Sequence, residues 1–454
     1  MTIIWAATAL TNYGWQDNVR VTLDQEGKIS AIQNDSDPQG YRVGVLLPAP
    51  VNAHSHAFQR AMAGLTENRG PEINDSFWTW RQAMFMFLSH LTPDQVEAIA
   101  AYVQMEMLEA GYASSVEFHY LHHDQHGRPY KNLAEMSERI LTAAEQTGIG
   151  MTLLPVLYQQ GGCDGRSLGA GQRRFGNDLD RFLRLFGDAK TALTHLPADA
   201  KIGVAAHSLR AVSREALMSL AAFSKEMPIH LHLAEQEAEV DEVQTAYGRR
   251  PVEWLLDNVE IDKRWCLIHC TQMQPEETIE LARTGAVAGL CPITESNLGD
   301  GVFDAVRWLG HDGRIAIGSD SHIRISLSEE LRLLEYSQRL QHRSRAALAT
   351  TEKSTGRRLF DAVNTGGAQS ANRDAGRIEE GAWADLLALD DQAVDLTGRH
   401  SDRLLDSYVF AGDDGMVTDV WSAGRHKVRD GRHVAREAIT ERYRQVIKTL
   451  VDAL

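Results

Sequence analysis

Eight short apolar runs, spread from about residue 48 to 374 and mostly separated by long amphipathic stretches, restrict the fold of this chain more than any other feature. Short strands alternating with helix-length segments mark β/α units and a parallel sheet. Eight of them predict an α/β fold of the closed (β/α)8 type. The runs are LLPAPVNAHSH, ASSVEFHY, MTLLPVLY, KIGVAAHS, PIHLHLAE, WCLIHC, AVAGLCPITE and RIAIGSDSH. Between them, PDQVEAIAAYVQMEMLEAG, NLAEMSERILTAAEQTG, SREALMSLAAFSKEM and SLSEELRLLEYSQRL read as helices. Several open on a Ser, Thr or Asn cap with acidic residues in the first turn.

The two ends have another texture. Residues 1–47 are short β-branched or alternating runs broken by DQEGK and NDSDPQG, the chemistry of hairpins. After about residue 375 similar strands return in GRIEEGAWADLLALD and MVTDVWSAGRHKVRDGRHV, followed by a closing helix, REAITERYRQVIKTLVDAL. Matching texture predicts one composite β domain from 1–47 and 375–454 beside a barrel of residues 48–374.

Charge and cysteine usage exclude several functions. Acidic residues outnumber basic ones 62 to 46, giving a net charge of −16, so the mean field repels phosphate backbones and anionic lipid. No nucleic-acid partner is expected. No apolar run approaches the roughly 20 residues that span a bilayer, so no membrane partner is expected either. Cys163, Cys266, Cys270 and Cys291 form no Cys-x2-Cys pair. Neither a disulfide framework nor a zinc ribbon is indicated, and a cytoplasmic location fits. The last three lie in apolar runs and read as small buried hydrophobes.

Most of the 18 histidines need no function, but a few stand at strand ends. His54 and His56 close the first run, and residues two apart on a strand share a face. The fifth run supplies His230, His232 and, just beyond, Glu235; the sixth ends at His269, and the eighth leads into Asp320. All fall at the carboxyl ends of strands, where barrel enzymes build their sites, and a catalytic zinc takes three or four N/O ligands. The bland alternative makes His232, His269 and Asp320 separate buried polar residues, which requires independent coincidences at one end of the barrel. His230 lies two residues deeper and reads as a decoy.

His-x-His after strand one, His-x-x-Glu after strand five, His after strand six and Asp after strand eight resemble the deaminase branch of the amidohydrolase superfamily. That resemblance implies a small β-sandwich joining both termini. It further implies that His54, His56, His232 and Asp320 hold one divalent metal ion, Zn2+, while Glu235, His269 and Asp320 act as catalytic groups that move protons. Binuclear members usually carry a bridging Lys or Glu after strand three or four; those runs end without one, and Lys201 opens its strand, so one metal is favoured over two. The segments NAHSHAFQRAMAGL, FWTWR, SSVEFHYLHH, GVAAHSLRAV, GLCPITESNLGDG and IGSDSHIRISLSEELRLLEYSQRL are most similar to members that deiminate N-formimino-L-glutamate. The activity implied is metal-dependent release of ammonia from a linear amidine in histidine degradation, by a cytoplasmic homodimer.

Such a small-molecule substrate carries two carboxylates, so an acidic protein needs local arginines. Arg81 and Arg210 lie in loops after runs one and four, and guanidinium forks suit bidentate carboxylate binding. The resemblance makes both substrate ligands and adds Gln59, Tyr120 and His207 as hydrogen-bonding contacts. The alternative is a deaminase of the same branch acting on a nucleobase, nucleoside or triazine ring, for which Trp78 and Trp80 offer stacking faces. A catalytically silent barrel is a third reading, and an intact ligand set argues against it.

Overall fold

The computed structural model describes residues 2–67 and 77–452. Eight parallel strand positions close a barrel in chain order: Val51–Ser55, Ser114–His119, Gly150–Leu157, Lys201–Ile202 with Val204–Ser208, Ile229–Leu233, Trp265–His269, Val287–Leu290 and Arg314–Ile317. The last strand returns to the first through Ile317 and Asn52. Nearly every residue of these strands is buried, because helices cover a parallel sheet outside and side chains fill it inside. Helices Pro93–Glu109, Arg214–Phe223, Leu327–His342 and Thr355–Ser370 start where Thr92, Ser213, Ser326 and Ser354 accept a backbone N–H of the first turn.

Two of the expected strand runs are shared between a barrel strand and another element. In LLPAPVNAHSH, residues up to Pro48 belong to the terminal strand Tyr41–Pro48, and only Val51–Ser55 enters the barrel. Pro48 and Pro50 offer no N–H to a ladder, so the chain changes sheets between them. In AVAGLCPITE the strand ends at Leu290, and Pro292 starts the helix Pro292–Leu298, as suits proline in a first turn.

The terminal strands form one eight-stranded sheet. Thr2–Thr11 lies parallel to Tyr41–Pro48, which pairs antiparallel with Leu386–Leu389, so the two ends of the chain meet at the sheet's centre. Ile4, Val19, Val21, Leu46, Leu386 and Trp421 build its own core. A buried ion cluster ties this sheet to the base of the barrel: Arg373 reaches Asp385 at 2.6 Å and Asp199 at 2.8 Å, and Arg425 reaches Asp199 at 2.7 Å. All four cysteines are free and buried. Among the described residues no helix is long and apolar enough to cross a membrane.

Candidate metal centre and substrate cavity

The first and eighth barrel strands approach closely at their carboxyl ends. A side chain on Gly318 would meet His54 backbone and side-chain atoms at 2.6–2.8 Å, so only glycine fits there. Asn52 donates to Ser319 Oγ at 2.6 Å and accepts from the Ser319 N–H at 3.1 Å, locking the two strands in register. The Ser319 and Asp320 N–H groups both donate to the His54 carbonyl, and the His56 N–H donates to the Asp320 carbonyl. Ala234, His269 and Asp320 have φ of 50°, 70° and 46°, a left-handed conformation uncommon for non-glycine residues. Backbone of this kind clusters at functional sites, where the surroundings hold it in place.

These turns aim four ligand atoms at one point. His54 Nε2 lies 3.1 Å from both His56 Nε2 and His232 Nε2, and Asp320 Oδ1 lies 3.4 Å from His54 Nε2 and 3.3 Å from His56 Nε2. His56 Nδ1–H donates to the Phe118 carbonyl and His232 Nδ1–H to the His207 carbonyl, both at 2.9 Å. Those bonds leave the Nε2 lone pairs facing one another, an arrangement that suits a shared cation. Burial, reinforced by neighbouring imidazoles, holds His54 and His56 well below the usual histidine range. Burial likewise lowers His232 to about 3, so all three rings are neutral, as ligation requires. The chemistry of the donor set therefore fits a divalent ion.

His269 stands beside this cluster. Its Nδ1–H donates to Glu295 Oε1 at 3.2 Å, and Nε2 lies 3.8 Å from Glu235 Oε1. Burial alone would lower its pKa, but Glu235, the bond to Glu295 and Asp320 prevail and raise it to about 10. Burial raises the pKa of Glu235, with Glu239 and Asp320 adding to the shift and His269 opposing it.

Gln59, Arg81, Tyr120, His207 and Arg210 line one cavity with His56, His232, Glu235, His269 and Asp320. His54 lies fully buried behind them. The structure thus brings every expected site residue into one region. Gln59 donates to Tyr120 Oη at 2.9 Å, and Arg81 donates to Tyr158 Oη at 3.1 Å. Trp80 also lines the cavity, whereas the side chain of Trp78 lies outside the described residues. His230 bonds the Ser370 carbonyl at 2.9 Å, away from the ligand cluster.

Two residues escaped the sequence reading. Tyr158 accepts from both Arg81 and Gln172, and Glu295 holds His269. The signal was partial: Tyr158 directly follows the third strand, where a barrel site forms, whereas Glu295 lies on the helix Pro292–Leu298 beyond the seventh.

A closed barrel with three histidines and an aspartate converging at its carboxyl end defines the metal-dependent hydrolases of the amidohydrolase class. The amidohydrolase family model matches residues 45–427, and the model of the N-terminal domain of formimidoylglutamate deiminase HutF matches residues 1–41. Formimidoylglutamate deiminase of Pseudomonas aeruginosa is 46% identical over 456 residues, covering 100% of both chains. The crystal structure of an amidohydrolase from Brucella melitensis superposes with a TM-score of 0.94 at 45% identity, covering 99% of this chain and 100% of that one. An adenosine deaminase from Xanthomonas campestris with bound zinc shares the fold, with a TM-score of 0.82 at 20% identity and coverage of 99% and 98%. The chain belongs to the amidohydrolase family and, within it, to the formimidoylglutamate deiminases.

Proposed function

We infer that this chain hydrolyses N-formimino-L-glutamate to N-formyl-L-glutamate and ammonia, a step of histidine degradation. The observation that carries this reading is the placement of two guanidiniums, Arg81 and Arg210, in the same cavity as the ligand cluster and the Glu235–His269 pair. A dianionic amidine needs both a hydrolytic centre and two cationic anchors. Full-length identity to the Pseudomonas aeruginosa deiminase supports the same substrate.

His54, His56, His232 and Asp320 would hold one divalent ion, zinc. Bound there, it supplies the Lewis acidity that generates hydroxide from water near neutral pH. Asp320 accepts a proton of the attacking water. Glu235, whose pKa burial raises, exchanges a proton near neutral pH and passes it toward the imino nitrogen. His269 carries a proton on each ring nitrogen, with Nδ1–H on Glu295 and Nε2–H toward Glu235, and assists the departure of nitrogen. Water's oxygen bonds to the formimino carbon, and both of its protons pass to the terminal nitrogen, one through Glu235 during attack and one from the new hydroxyl through Asp320; as the C=O forms, the terminal C–N bond breaks and ammonia leaves.

Arg81 and Arg210 each take one carboxylate, and Gln59, Tyr120 and His207 orient the amidine by hydrogen bonds. Four free, buried cysteines suit a reducing cytoplasm. The homodimer rests on the resemblance, and light scattering decides it.

The test is kcat/KM for N-formimino-L-glutamate, its α-amide and N-formimino-L-aspartate, measured in wild type, Arg81→Met and Arg210→Met. Each arginine variant should lose about 2–4 kcal/mol of transition-state binding while keeping its metal, and the amide should be poor. Equal use of acid and amide, with both variants unimpaired, would sink the dicarboxylate reading in favour of a ring deaminase.

A further inference from the structure

The base of the barrel, opposite the catalytic mouth, has a concentration of positive charge that the deimination chemistry does not use. Of the nine lysines in the whole chain, four line one cavity of about 830 Å³: Lys28, Lys201, Lys225 and Lys263. Three lie at the amino ends of barrel strands. Lys201 opens its strand, and Lys225 and Lys263 precede Ile229–Leu233 and Trp265–His269. Lys28 comes from the terminal sheet, with Nζ 5.0 Å from the centre of the Trp383 ring. The cavity therefore lies between the sheet and the barrel base.

Its other cations are already compensated. Arg264 pairs with Asp262, Arg373 with Asp199 and Asp385, and Arg377 with Asp374 and Glu379. None of the four lysines has an ion pair among the described residues, and Asp374 on the wall is engaged by Arg377. Four ammonium groups thus face one remaining acid of the lining, Glu226.

The backbone carrying them is fixed. Arg264 donates to the Lys225 carbonyl at 2.9 Å, and Gln369 donates to the Lys263 carbonyl at 2.9 Å. Like charges gathered in a protein of net charge −16 repel one another unless an anion joins them, and ammonium groups offer three donors each to its oxygens. The volume falls within the roughly 300–1,000 Å³ of small-molecule sites.

We propose that this cavity is a second binding site, separate from the catalytic one, for a small multivalent anion bearing at least two phosphate or carboxylate groups. Lysines of both the sheet and the barrel line the cavity, so an anion with two charged ends can engage both elements at once. The site needs neither the metal nor the amidine substrate, so its test is independent of the deiminase reading.

Calorimetry on the metal-loaded enzyme at low salt, with fructose 1,6-bisphosphate, tricarballylate and inorganic phosphate as probes, tests it. The bisphosphate or the tricarboxylate should bind at one per chain, and whichever binds more tightly identifies the anionic group preferred. The triple variant Lys201→Gln/Lys225→Gln/Lys263→Gln should weaken that binding at least about tenfold, with deiminase activity in the absence of anion unchanged. Lys131→Gln/Lys190→Gln/Lys448→Gln, an equal charge change elsewhere, should leave binding intact. Failure of both multivalent probes to bind overturns the proposal. Phosphate binding as tightly as they do, undiminished binding in the first triple variant, or equal weakening in the second does the same.

Discussion

His269 is gripped at both ring nitrogens, by Glu295 on one side and Glu235 on the other, and only the second of these carboxylates lines the cavity. Glu295 is itself fixed by the Cys291 N–H at 2.8 Å, so in the proposed mechanism it acts as a positioning residue that sets the direction of the imidazolium ring and helps keep it protonated. Glu295→Gln should lower kcat about 10- to 100-fold, the usual scale for such partners, while KM and bound metal stay near wild type. Steady-state kinetics with metal analysis checks this, and a change confined to KM would contradict it. Tyr158 plays the matching part for Arg81, receiving both Arg81 and Gln172 on its hydroxyl. Tyr158→Phe removes a hydrogen bond to a charged group, worth about 1.5–3 kcal/mol, so kcat/KM for the dicarboxylate should fall at least about tenfold. The α-amide serves as control: if Arg81 holds the α-carboxylate, its kcat/KM should change less. At this scale, residues beside a strand end were legible because a barrel converges there. Their partners were not: nothing in the spacing of Glu295 says which histidine it meets, since its contact with His269 joins the helix Pro292–Leu298 to the end of a strand 26 residues earlier.

At the level of elements, the joint between the sheet and the barrel is electrostatic as well as apolar. Arg373 is buried with Asp385 and Asp199, and Arg425 shares Asp199. Removing one partner leaves an uncompensated buried charge, which typically costs about 3–5 kcal/mol. Arg373→Met should therefore lower the denaturation midpoint clearly, and a midpoint equal to wild type would show that the cluster contributes no stability. Burial tends to raise the Asp199 pKa, but Arg425 and Arg373 prevail and hold it below the usual carboxylate value. A carboxyl depressed in the folded state stabilises above its unfolded pKa of about 3.9, and that contribution is lost as pH falls through the folded value. Asp199→Asn should accordingly show a shallower loss of stability in acid than wild type, as read from unfolding curves between neutral pH and pH 3. Strand and helix texture was readable here because apolar runs and caps are local signals. The division of LLPAPVNAHSH between two sheets was not, since hydropathy is continuous across it and only the prolines mark the break. The ion cluster joins residues 174 positions apart, which no local pattern records.

For the molecule as a whole, the proposed function rests on one divalent ion, held by His54, His56, His232 and Asp320, that makes this barrel a deiminase of N-formimino-L-glutamate. The four ligand atoms lie within 4.8 Å of one another, as donors to one shared ion would. A second group of possible ligands, His269, Cys291 and Glu295, is held instead by its own hydrogen bonds. The most direct measurement is ammonia release from N-formimino-L-glutamate as zinc is titrated into chelator-stripped protein. Activity should be absent without metal, rise in proportion to added zinc and break at one equivalent per chain. Full turnover in the stripped protein, or a break at two equivalents, would contradict the account.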